Sequence, residues 1–72
     1  MWGNSVVSVE SAENLLVVKT LSGTAHAAAS AIDAMSNPMI LGTIAGDDTI
    51  LVIVKNCEQA EIVKKEITQL MK

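Results

Sequence analysis

Two clusters of side chains in this 72-residue chain are of types that can do chemistry. The first is Gly46-Asp47-Asp48, flanked by apolar runs on both sides. Two adjacent carboxylates held in a tight reversal repel one another and call for a cation. A hard-metal hairpin of the polymerase kind would use them for magnesium. A chain this short, without a single arginine, lacks the remaining machinery for that reaction. Two readings stay open on the residues alone. One is a solvated turn, because Asp is a common turn residue. The other is recognition of an organic cation through charge-assisted hydrogen bonds to a guanidinium or ammonium.

The second cluster is His26, Ser30 and Asp33, which share one side of a predicted helix. His26 and Asp33 stand seven positions apart, about 10 Å along a helix at 1.5 Å per residue, too far for the direct hydrogen bond of a hydrolytic triad. No G-x-S-x-G elbow is present, and one histidine makes no zinc signature. Nothing here amounts to a catalytic set, and no cofactor or metal is implied. The single cysteine, Cys57, excludes an internal disulfide and fits a reducing compartment.

These residues must be positioned by a small scaffold. Val6–Glu10 and Leu15–Leu21 read as strands joined by turn-prone Ser11-Ala12-Glu13-Asn14. Met39–Ala45 and Thr49–Lys55 form a second strand pair around Gly46-Asp47-Asp48. An alanine-rich helix is expected over 24–35, ended by Ser36-Asn37-Pro38. A second is expected over 57–71, with Ala60, Val63, Ile67 and Leu70 at helical spacing. Asn56 and Gln59 suggest a capping box, and Glu61 and Lys65 an i,i+4 ion pair. The order is ββαββα, which predicts an α+β fold of two layers, a four-stranded sheet with two helices on one face. Strands two and four are apolar on both sides, and half of the chain is apolar with one aromatic residue, Trp2. So short a chain cannot hide that surface alone, so self-association is expected.

Five lysines against eight acidic residues give a net charge of -3, a poor basis for binding nucleic acid. The longest apolar run, Ile50–Val54, falls far short of the roughly 18–20 residues of a membrane span. A soluble, cytoplasmic domain without membrane contact is expected.

Leu41-Gly42-Thr43-Ile44-Ala45-Gly46-Asp47-Asp48-Thr49-Ile50 resembles the signature of the C-terminal domain of the bacterial arginine repressor family. Ser11-Ala12-Glu13-Asn14-Leu15, Lys19-Thr20, Gly23-Thr24-Ala25, Ile32-Asp33-Ala34 and Glu58-Gln59-Ala60-Glu61 extend the likeness from about Val6 to Met71. The resemblance implies a homo-oligomer, a trimer that stacks into a hexamer as a dimer of trimers. It implies L-arginine as co-repressor, bound between trimers by residues of more than one subunit. By the same resemblance Asp47, Asp48 and Asp33 would meet the ligand's cationic groups, and Thr43 and Ala45 would add contacts beside the turn. His26 stands where many relatives have Gln, and Ser22 where they often have Pro. Residues 1–5 fit nothing in the pattern and are expected to be a junction or a disordered start, with one domain over 6–72. The family's winged-helix DNA-binding domain is expected to be missing, so that DNA is met only through it. The implied function is ligand sensing and assembly in a repressor of arginine biosynthesis genes or an activator of catabolism. The alternative is an oligomerisation module indifferent to arginine. A small enzyme of the pterin-dehydratase type has a similar element order but would want several histidines, and this chain has one.

Overall fold

Alternation of buried and half-buried residues along the two central strands organises the structure, a computed structural model that describes residues 6–70, Leu70 by its backbone alone. The elements run β1 (Val6–Ala12), β2 (Leu15–Thr20), α1 (Ala25–Ala34), β3 (Ile40–Ala45), β4 (Thr49–Val54) and α2 (Cys57–Leu70). This is the expected ββαββα order, with most boundaries within a residue or two of expectation. The expectations for residues 1–5, for Met71 and for the Leu70 side chain lie outside the described residues.

The four strands form one antiparallel sheet in the order β1-β2-β4-β3. Leu16, Val18 and Thr20 of β2 and Ile50, Val52 and Val54 of β4 point to one face and are buried. Both helices cover that face, α1 over β3 and β4, α2 over β1 and β2. From α1 come Ala25, Ala28, Ala29 and Ile32, and from α2 come Ala60, Val63 and Ile67. The small side chains of α1 let its axis lie close to the sheet, so three of the six alanines serve packing, while Ala27 and Ala34 are exposed.

The opposite face carries Leu15 and Val17 of β2 beside Ile53 and Leu51 of β4, all only half-buried. Ile44 of β3 pairs with Leu51 and is 64% exposed. An apolar face without cover is what the two-sided apolar strands called for.

Local details depart from expectation where a distant partner wins. The β1–β2 turn is tighter than expected, and Glu13 takes the left-handed conformation at φ 58°. Asn14 is instead tied to the end of β4: its Nδ2 donates to the Val54 carbonyl, and its own carbonyl accepts from the Val54 amide. The capping box is half closed, because the Gln59 amide donates to Asn56 Oδ1 while Gln59 Oε1 is buried without a partner among the described residues. Glu61 forms no salt bridge with Lys65; its carboxylate accepts from Ser11 Oγ of β1 at 2.6 Å. Helix α1 ends when Ser36 turns left-handed at φ 52°, two residues ahead of Pro38. Gly42 falls at a bulge in the β3–β4 ladder.

Ile32 is fully buried between α1 and the sheet. Ile32→Ala should cost about 2–5 kcal/mol of stability, read by urea unfolding at fixed chain concentration. Gly23 sits at φ 81° with open space around the missing Cβ, so Gly23→Ala should cost roughly 1–2 kcal/mol from backbone strain alone.

Candidate functional site

The Gly46-Asp47-Asp48 turn joins β3 to β4 and leans on the connection between β2 and α1. The Asp48 carbonyl accepts from the Thr20 amide at 2.7 Å, and the Asp47 carbonyl accepts from the amides of Gly23 at 3.0 Å and Ala25 at 3.4 Å. The Gly46 amide donates to the Thr49 carbonyl at 2.8 Å and closes the turn itself.

The start of α1 explains why this clasp is needed. The first amides of a helix have no partner within it. Thr24, at the N-cap position, makes no side-chain cap; its hydroxyl donates instead to the Leu21 carbonyl at 2.6 Å. The Asp47 carbonyl therefore does the capping from the other hairpin. Helix α1 has no acidic residue in its own first turn, so Asp47 brings negative charge to an end that favours it.

With both carbonyls engaged inside the chain, the two carboxylates are left outward, and both residues are exposed. They take different partners. Asp47 Oδ2 accepts from Ser22 Oγ at 2.8 Å. Asp48 Oδ1 accepts from Thr49 Oγ1 at 2.9 Å, and Asp48 Oδ2 stands 4.0 Å from Lys19 Nζ. Lys19 Nζ also donates to Thr49 Oγ1 at 3.0 Å.

Asp33 lies in the last turn of α1, exposed, and accepts from Thr43 Oγ1 of β3 at 3.1 Å. This is the one side-chain hydrogen bond between two of the expected site residues. Ala45 lies at the end of β3, packed against the core. His26 is exposed in the first turn of α1, one residue beyond the Ala25 amide that meets Asp47. All six residues thus belong to α1, β3 and the turn that follows β3, but they do not close into one cluster. No group of three metal-ligating side chains forms among the described residues. A cavity of about 880 Å³ lies elsewhere, between the 35–39 segment and α2, and includes none of them.

Ser22, Lys19 and Thr49 were not among the expected site residues, yet they hold the carboxylates. Their contacts to the turn span 25 or 30 residues of sequence, apart from Thr49 on its neighbour Asp48. Only the pairing of β2 with β4, which sets Lys19 opposite Thr49, exposes them.

Comparison with known proteins supplies the family. The arginine repressor C-terminal domain family matches residues 2–69, beginning ahead of Val6. The arginine repressor of Syntrophomonas wolfei is 52% identical over 94% of this chain and 44% of its own length. That of Clostridium tetani is 56% identical over 90% of the chain and 43% of its own. That of Thermoanaerobacter is 50% identical over the whole chain and 48% of its own. The chain therefore spans about half the length of these curated relatives, which carry the name of a regulator and not of an enzyme. It belongs to the arginine repressor C-terminal domain family.

Proposed function

We propose that this chain is the L-arginine-sensing and assembly domain of an arginine-dependent transcriptional regulator. The observation that carries the reading is the clasped Gly46-Asp47-Asp48 turn, whose carbonyls are spent within the chain and whose carboxylates face outward. Each carboxylate can accept charge-assisted hydrogen bonds from a guanidinium or an α-ammonium group. Asp33, His26, Thr43 and the main chain near Ala45 complete the ligand surface from α1 and β3. No metal or organic cofactor takes part; arginine is the effector.

The six residues are spread over α1, β3 and the turn, four of them exposed, so a ligand is enclosed only when a second chain covers it. Subunits associate through the uncovered apolar face around Val17, Leu51, Ile53 and Ile44 into trimers, and two trimers stack into a hexamer with arginine between them. Without ligand, the carboxylates of facing subunits repel; arginine offsets that repulsion, so that binding and assembly are linked. The remaining length found in the relatives would carry DNA binding, which fits the net charge of -3 here. No described helix is long and apolar enough to cross a membrane, and a regulator of genes belongs in the cytoplasm. The competing reading, an assembly module indifferent to arginine, rests on the apolar face alone.

Calorimetric titration of arginine separates the two. Asp47→Asn and Asp48→Asn should each weaken binding about tenfold or more, the value of a lost charged hydrogen bond. Undiminished affinity in both variants would remove the ligand assignment. Ile44→Ala should keep the fold but shift dissociation on dilution to about tenfold higher concentration if its side chain is buried between subunits. Light scattering across a dilution series reads that shift.

A further inference from the structure

The three carboxylates of the site are not equally free. Asp47 is held by a serine hydroxyl and Asp33 by a threonine hydroxyl, both neutral donors. Asp48 alone has a cation beside it: Lys19–Asp48 is the salt bridge found among the described residues. The geometry is a closed arrangement of three groups. Lys19 Nζ donates to Thr49 Oγ1 at 3.0 Å, Thr49 Oγ1 donates to Asp48 Oδ1 at 2.9 Å, and Nζ stands 4.0 Å from Asp48 Oδ2. The β2–β4 ladder enforces it, because Lys19 and Thr49 are register partners and Thr49 is the next residue after Asp48. Both charged side chains are about half exposed, at 48% and 52%, so the ammonium can leave without stranding a buried charge.

We propose that Lys19 is a tethered competitor for Asp48, an affinity-setting residue of the arginine site. This rests on the arginine-binding reading and deepens it. A ligand cation arriving at Asp48 meets a carboxylate already partly neutralised and an ammonium that repels it. Either Nζ moves aside or the ligand's positive groups are directed to Asp47 and Asp33. In both cases Lys19 lowers arginine affinity, and it does so through local charge, which salt screens.

Calorimetry on the 72-residue chain tests this with Lys19→Met, Lys19→Gln, Lys19→Arg and, as a control for net charge, Lys55→Met. Lys55 is exposed just beyond the end of β4. At low salt Lys19→Met and Lys19→Gln should bind arginine about two- to fivefold more tightly than the unchanged chain, the range expected of an exposed ion pair. The gain should shrink in about 1 M salt, where the screening length falls to roughly 3 Å. Lys19→Arg should show no gain, and neither should Lys55→Met. Equal or weaker binding in the two neutral Lys19 variants would overturn the proposal, as would an equal gain from Lys55→Met. If the unchanged chain binds arginine and the Lys19 variants match it, only the competitor falls. If the unchanged chain binds no arginine, the site reading falls and the competitor with it.

Discussion

The hydrogen bonds from the β2–α1 connection to the carbonyls of Asp47 and Asp48 are the constraint on which the site depends. They solve two problems at once. Helix α1 begins without a side-chain cap, and the Asp47 carbonyl supplies the missing acceptor for Gly23 and Ala25. The turn between β3 and β4 would otherwise be a free loop, and it becomes fixed against the core through Thr20, a buried residue. Gly23 makes the clasp possible, because a φ of 81° brings its amide to Asp47 and is costly for any residue with a Cβ. Carboxylates on such a turn are held in position by the chain itself, so the proposed binding of a ligand would cost less ordering entropy.

The fold and the site draw on the same two-sided sheet. One face is sealed by the helices, with small alanines letting α1 settle against β3 and β4. The other face is a continuous band of half-buried aliphatics that a single chain leaves wet. Lys19 and Thr49 lie at the edge of that band, next to Asp48. The proposed ligand carboxylate and the uncovered apolar face therefore adjoin along one row of the sheet, which would give binding a physical route to bias assembly.

The secondary structure was legible in the sequence because it rests on local patterns. The apolar period of Ala60, Val63 and Ile67 and the paired aliphatic runs around Gly46-Asp47-Asp48 marked their elements closely. Side-chain partners were not legible to the same degree. Glu61 was read with its helix neighbour Lys65, but it meets Ser11, because α2 packs over β1. Asn37, in the segment between α1 and β3, donates to Glu66 of α2, another contact between residues far apart in sequence. Lys19 and Ser22 were not read as partners of the turn because their bonds to it depend on β2 lying beside β4, an order that no short-range spacing carries. The acidic residues stood out by type. What holds each of them in place did not.

The proposed sensor makes arginine binding and chain assembly one linked equilibrium. Its most direct test is mass by light scattering after size exclusion, across a dilution series, with millimolar L-arginine, with L-lysine and with neither. A particle of six chains that resists dilution with arginine and falls to three with lysine or with no ligand is expected. A chain that remains monomeric under all three conditions would contradict it.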